Sequence, residues 1–378
     1  MSPETRLDLL LVNPLHHTNS SALLDWGMRR RGTIIHLLQL YTTLYWRVLA
    51  DVAREKRDSL IAPLVSRHFD FLDSLAGQAK LPVPEDELEA ALKQVDILLG
   101  SAPVGPTTVK RVLRFGHRLP HVRFGSTETC LEVMATPTTM PQKGLMTAHE
   151  AGWTHQYEGR NASGYYIGRE HPPFTRVKIV KAIDPGSPDY LRTCNLGEPG
   201  YFVTQGPNVM TTYVGDDRAT QEVFKDGWYV GLRDIGFALR NTSDAQLDFY
   251  WMSRDSALII RGGANYAYEQ IEEELSRFLV NEFHLGQDQF QLAVVGLKVG
   301  SEHEDSCCVT IELSKSAADK ERLLESSFIE KAQKAVTKGC RPDYIRFAPI
   351  PRNFKGAILN NELKQEFIKS LTDKKIYL

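Results

Sequence analysis

At 378 residues the chain is long enough for two or three hydrophobic cores, at about 150 residues per domain. A net charge of −2 excludes the basic excess of a nucleic-acid binder, and 42% hydrophobic residues exclude a disordered chain. Five cysteines with no C-x-x-C argue against a disulfide framework or a zinc site and suit a reducing, cytoplasmic compartment.

The start, "MSPETRLDLLLVNPLHH", holds a short apolar run broken by Asn13 and Pro14, too short for a signal sequence or a membrane span. Residues 1–125 alternate apolar runs ("LDLLLV", "TIIHLL", "VDILLG") with helical stretches at Thr43–Glu55 and Thr107–Phe115, the pattern of strands and crossover helices. Residues 126–252 are richer in Gly, Pro and Thr, with strand-like runs "RVKIVKAI", "GYFVT" and "DFYWM" between turn signals. After "SRDS" comes a strand, then a helix with Ile271, Leu275, Phe278 and Leu279 on one face. Strands "FQLAVVGLKV" and "CCVTIEL", a long helix, a strand "YIRFAPI" and a last helix complete it. The fold class is α/β. A large mixed N-terminal domain over 1–254, incomplete at its start, is joined by a hinge to a small α+β domain over 255–378.

Three motifs carry chemistry. In "VRFGSTETC" an apolar strand ends in Gly125 and presents Ser126, Thr127 and Glu128 together. Hydroxyls and a glycine backbone can hold phosphate oxygens, and a carboxylate beside them can hold Mg²⁺. The plain alternative is a polar turn. In "KDGWYVGLRDIGF" the Asp226-Gly227 turn precedes Asp234, whose carboxylate could accept hydrogen bonds from a ribose diol or serve only as a hairpin aspartate. In "SRDSALIIRGGANYAYEQIEEEL" Gly262 and Gly263 lie between a strand and a helix that Asn265 is placed to cap, leaving backbone a ligand can approach. "SEHEDS", around His303, reads as a solvated turn rather than a metal site.

In this order and with this spacing, the motifs resemble the AMP-forming adenylate superfamily of acyl-CoA synthetases, adenylation domains and luciferases, over nearly the whole chain. "FGSTE" is similar to its adenine and Mg²⁺ motif, "FKDGWYVGLRDIGF" to its aspartate region, "SRDSALIIRGGANYAYEQIE" to its hinge and glycine loop, and "VNPLHHTNSSA" to its acyl-pocket helix start. The resemblance implies that Gly125, Ser126 and Thr127 contact AMP and its phosphate, and that Glu128 binds Mg²⁺. Asp234 and Arg254 serve the ribose, Asp255 is the hinge, Gly262 and Gly263 line the thiol tunnel, and His17 borders the acyl pocket. It further implies ATP, AMP, Mg²⁺ and CoA as cofactors, a small carboxylic acid as substrate, and an acyl-adenylate converted to a thioester.

Three departures qualify these expectations. The family's lysine-ended phosphate loop lies upstream of the Pro-Leu-x-His segment, and Met1–Asn13 holds no glycine, so the missing part is expected from a longer product or a separate N-terminal subunit. "PRNFKGAILNNEL" resembles the family's Pro-Arg-Thr-x-x-Gly-Lys-Ile loop with Ala357 in the lysine's place. Lys355 is the remaining candidate cation, displaced by about 6–7 Å in an extended loop. Leu232-Arg233 replaces a Thr-Gly before Asp234, so the turn there is expected to differ. The alternatives to a working ligase are a half-reaction or non-catalytic remnant that binds AMP or acyl-adenylate, and an incomplete gene model.

Overall fold

The computed structural model describes residues 5–55, 58–254, 257–261, 264–299, 305–353 and 357–373. Two compact units divide the chain at Trp251/Met252, against the boundary at 254/255 expected from the sequence.

The first unit begins as alternating strands and helices: β1 (Leu7–Leu11), α1 (Thr18–Arg29), β2 (Thr33–Leu37), α2 (Leu44–Arg54), β3 (Ser59–Leu64), α3 (Ser66–Gly77), α4 (Glu85–Leu92), β4 (Val95–Leu99), α5 (Pro106–Gly116) and β5 (His121–Phe124). These five strands pair in parallel in the order β2-β1-β3-β4-β5. Parallel strands covered on both faces are apolar throughout, which is why "LDLLL" is buried at every position, its aspartate included. Helix α5 starts with Pro106 after Gly105 and stops at His117 in the left-handed region, a well-marked entry and exit.

The sheet then changes character. It continues through β6 (Met134–Ala135), α6 (Gln142–Trp153), β7 (Gln156–Tyr157), β8 (Arg160–Asn161), β9 (Tyr165–Glu170), β10 (Arg176–Val180), β11 (Gly200–Gln205), α7 (Asp217–Val223), β12 (Phe224–Lys225), β13 (Trp228–Tyr229), β14 (Asp234–Arg240) and β15 (Leu247–Arg254). From β5 onward the pairings are antiparallel, and among the described residues β1 to β6 and β9 to β15 form one thirteen-stranded sheet. Asp226 at φ +48° and Gly227 at φ +80° make the tight turn between β12 and β13, as the Asp-Gly pair predicts.

The second unit holds β16 (Leu258–Arg261), β17 (Ala264–Ala267), α8 (Tyr268–Phe283), β18 (Phe290–Leu297), β19 (Ser306–Leu313), α9 (Glu321–Ala335), β20 (Tyr344–Phe347) and α10 (Asn360–Asp373). Strands β18 and β19 are antiparallel, and β20 joins β19 in parallel. Ile271, Leu275, Phe278 and Leu279 of α8 are all buried in one core with Phe328 and Phe367, so the helical face read from the sequence is the packed one. One expectation is corrected: Asn265 does not cap α8. It lies inside β17, which pairs with β16 so that Arg261 faces Ala264, and the helix starts at Tyr268 with Ala267 as its N-cap.

Candidate functional site

Strand β5 lies where the parallel half of the sheet meets the antiparallel half, and ligands of open α/β sheets gather beyond strand ends at such switch points. The chain leaves β5 at Phe124 and enters a 3₁₀ turn over Thr127–Thr129. Thr129 Oγ1 accepts the Ser126 N–H at 2.8 Å and donates to the Ser126 carbonyl at 3.1 Å, closing the turn on itself. Gly125 is required here, because a Cβ would run into the Leu131 carbonyl. Cys130 and Leu131 already have positive φ values of +53° and +83°, so the loop has little room to shift.

Two neighbouring segments, α1 and the loop after β11, fix the loop. Thr127 Oγ1 lies 3.0 Å from Thr18 Oγ1 in the first turn of α1. The Tyr213 hydroxyl donates to Glu128 Oε1 at 3.1 Å, and the Met210 N–H donates to the Glu128 carbonyl at 2.7 Å. Asn208 Nδ2 donates to the Thr129 and Glu132 carbonyls at 3.1 and 2.9 Å. Burial pushes the Tyr213 hydroxyl up; Tyr229 opposes this and Glu128 adds to it, so the hydroxyl stays a proton donor. Gly125 and Thr127 are exposed, and Ser126 and Glu128 are half-buried.

Asp234 opens β14 and is buried, with Oδ1 accepting the Trp251 indole N–H at 2.8 Å. In the turn before it Arg233 has φ +52°, the left-handed conformation that glycine favours. Arg254 ends β15, exposed, its carbonyl accepting the Ala257 N–H at 2.9 Å. His17 is the N-cap of α1 and makes no side-chain cap; its carbonyl accepts the Ser20 and Ser21 N–H groups at 2.9 Å.

Asp255, Gly262, Gly263, His303 and Lys355 lie outside the described residues. The loop carrying Ala357 is described only at its flanks. Arg352 and Ile358 form an antiparallel bridge, the Asn353 N–H donates to the Ala357 carbonyl at 2.9 Å, and the Ala357 N–H donates to Asn353 Oδ1 at 3.1 Å. Ala357 is therefore held against Asn353 by two hydrogen bonds.

Sequence reading missed Thr18, Tyr213, Asn208 and Trp251. Thr18 follows a residue that was singled out, but neither it nor Tyr213 carries a local sign of its partner. Among the described residues no group of three or more His, Cys, Asp and Glu side chains could hold a metal ion. Mg²⁺ usually takes one or two carboxylates together with phosphate oxygens and water, so the lone Glu128 beside Thr127 fits it. No described helix is long and apolar enough to cross a membrane.

A family model described as AMP-binding enzyme matches residues 2–214. The chain is 24% identical over 277 residues to a 2-succinylbenzoate–CoA ligase of Geobacillus sp. (strain WCH70), covering 69% of this chain and 54% of that protein. It is 30% identical over 172 residues to a feruloyl-CoA synthase of Amycolatopsis sp., covering 45% of this chain and 31% of that protein. The chain thus spans about half or less of the length of these relatives. A solved O-succinylbenzoate coenzyme A synthetase from Bacillus subtilis, in complex with ATP and a magnesium ion, superposes with a TM-score of 0.65. That match has 20% identity and covers 95% of this chain and 61% of the other. It shows a shared fold, and nothing in the comparisons supports a separate N-terminal subunit.

Proposed function

Because the chain belongs to the AMP-binding enzyme family, we propose that it takes part in the AMP-forming activation of a carboxylic acid and its transfer to a thiol, as an acid–thiol ligase. In that chemistry a carboxylate oxygen attacks the α-phosphorus of ATP and pyrophosphate leaves. The thiol sulfur then attacks the acyl carbon of the acyl-adenylate, AMP leaves, and the thiol proton is lost. The observation that carries the reading is the loop after β5, with Thr127 tied to Thr18 and Glu128 to Tyr213. Preorganised donors at a site of developing phosphate charge are the main source of rate in such reactions.

In this reading the Gly125–Ser126 backbone and the Thr127 hydroxyl hold the α-phosphate, and Glu128 is the ligand for Mg²⁺. When bound, the ion supplies charge neutralisation on the phosphates. Asp234 accepts the ribose hydroxyls, in an orientation supported by the Trp251 indole, and Arg254 assists. His17 borders the acid, Gly262 and Gly263 leave room for the thiol of CoA, and Asp255 is the hinge. Residues 1–254 form the nucleotide-binding domain and 255–378 the mobile one. Lys355 is the candidate cation for the adenylation step. A non-catalytic remnant is not favoured, since the named relatives are ligases and synthetases.

Calorimetric titration of AMP, ATP with Mg²⁺, and CoA into the 378-residue chain tests this. AMP binds saturably, and Asp234→Asn, which keeps an acceptor for Trp251 and removes the charge, weakens it about ten-fold or more. No AMP binding, or unchanged binding in the variant, defeats the assignment.

A further inference from the structure

The first turn of α1 is set up for an anion. It carries no acidic residue, and His17 contributes no side-chain cap, so the positive end of the helix dipole is uncompensated. Asn19 and Ser20, at the second and third positions of the helix, are 3% and 0% exposed. Against them, from β5, lies Arg123, itself 9% exposed, its Nη2 donating to Asn19 Oδ1 at 2.6 Å. Arg123 Nε, Asn19 Nδ2 and Ser20 Oγ are buried with no hydrogen-bond partner among the described residues. Glu132 is the carboxylate that acts on Arg123, and it is shared with His171 at 3.1 Å. Three buried donors left open at one helix start would each cost stability, unless a ligand acceptor completes them.

We propose that Arg123, Asn19 and Ser20, with the start of α1, form a subsite for a second carboxylate of the acid substrate, so that the acid is a short dicarboxylic acid. This rests on the nucleotide-activating reading above. A carboxylate offers two oxygens with about four lone-pair sites, which matches this donor set, and the guanidinium fork suits it geometrically. A carboxylate paired with a buried arginine is stabilised and becomes a poor nucleophile, so the carboxylate that reacts is the other one. The spacing follows from the same helix turn: Thr18 touches the phosphate-side Thr127 while the next residue, Asn19, touches Arg123.

The test is titration of malonate, succinate, propionate and inorganic phosphate into the full chain and into Arg123→Met, Arg123→Lys and Ser20→Ala. The unmodified chain binds malonate or succinate about ten-fold or more tighter than propionate. The diacid-to-monoacid ratio falls toward unity in Arg123→Met and partly recovers in Arg123→Lys. Ser20→Ala removes only an unpartnered hydroxyl, so it keeps the fold and lowers the same ratio, and it serves if Arg123→Met does not fold. Equal binding of diacid and monoacid, no saturable diacid binding, or a ratio unchanged in Ser20→Ala and Arg123→Lys overturns the proposal. Phosphate binding that competes with the diacids at equal affinity also overturns it, because the site would then be a general anion site. AMP titrated into the unmodified chain separates the two readings: AMP binding without a diacid preference sinks only the subsite.

Discussion

Trp251 donates its indole N–H to Asp234 across neighbouring strands, at 2.8 Å. A buried carboxylate needs such donors, since an ionised group removed from water without them is costly. Trp251→Phe removes this donor and some volume while keeping an aromatic ring. It should destabilise the chain by about 1.5–3 kcal/mol, the usual size of a hydrogen bond to a charged group. Urea unfolding followed by far-UV circular dichroism measures it, and a loss below the resolution of that experiment would mean the indole contributes nothing to holding Asp234.

Arg233 sits at φ +52° and is exposed. An L-residue pays about 1–2 kcal/mol for this conformation and glycine does not, while glycine loses more chain entropy on folding. Arg233→Gly and Arg233→Val both lose the arginine side chain and its contacts, so their difference reads the backbone. The glycine variant should be the more stable by about 1 kcal/mol or more. Arg233→Val, β-branched and least tolerant of positive φ, should lower stability by more than about 1 kcal/mol. The two variants are compared by thermal unfolding, and a glycine variant less stable than the valine one would contradict the backbone reading.

The sequence made legible what is local. The apolar runs of β1, β4 and β5, the amphipathic face of α8 and the Asp226-Gly227 turn each follow from residues within a few positions of one another, and the Gly125–Glu128 loop is one continuous string. What it hid depends on distant contacts. Trp251 reaches Asp234 across 17 positions through the pairing of neighbouring strands, and Tyr213 reaches Glu128 across 85 positions from one loop to another. Asn265 was misplaced for a related reason: a Gly-Gly pair with an asparagine after it suits a helix entry, but β17 pairs with β16 and delays the helix to Tyr268. The unsatisfied donors around Arg123 were equally invisible, because an arginine two residues before a glycine says nothing of its burial.

Glu272 on α8 is partly buried, with Oε1 accepting the Val294 N–H at 3.0 Å. Burial pushes its carboxyl up to about 7 from an ordinary 4.5, while the Val294 N–H and Arg352 pull it down. Between these two values the folded chain keeps a proton that the unfolded chain has lost, so stability falls as pH rises from 4.5 to about 7 and then levels. The full effect is at most about 3 kcal/mol, at 1.36 kcal/mol per pKa unit. Glu272→Gln should flatten this slope. Hydrogen exchange of β18 peptides at pH 5 and pH 8, corrected for intrinsic rates, reads it, and an unchanged slope in the variant would place the pH dependence elsewhere.

Gly125 gives the sharpest test of the loop. A Cβ there collides with the Leu131 carbonyl and comes within 3.0 Å of the Glu132 Cα, and both obstacles are backbone rather than a movable side-chain tip. The backbone cannot easily yield, since Cys130 and Leu131 already occupy the left-handed region and Asn208 clamps the Thr129 and Glu132 carbonyls. Gly125→Ala should therefore cost about 1–3 kcal/mol of stability, as overpacking does. Because the strain falls within the segment that presents Thr127 and Glu128, AMP affinity should drop by more than the stability loss alone would cause. Gly77, at the end of α3 with nothing within 4 Å of an added Cβ, is the control. Gly77→Ala should be neutral or stabilising by up to about 1 kcal/mol, because alanine loses less entropy in a helix. Thermal unfolding and AMP titration of both variants decide it. An alanine at 125 that folds and binds AMP as well as the Gly77 variant would show that the loop neither needs its glycine nor holds the nucleotide.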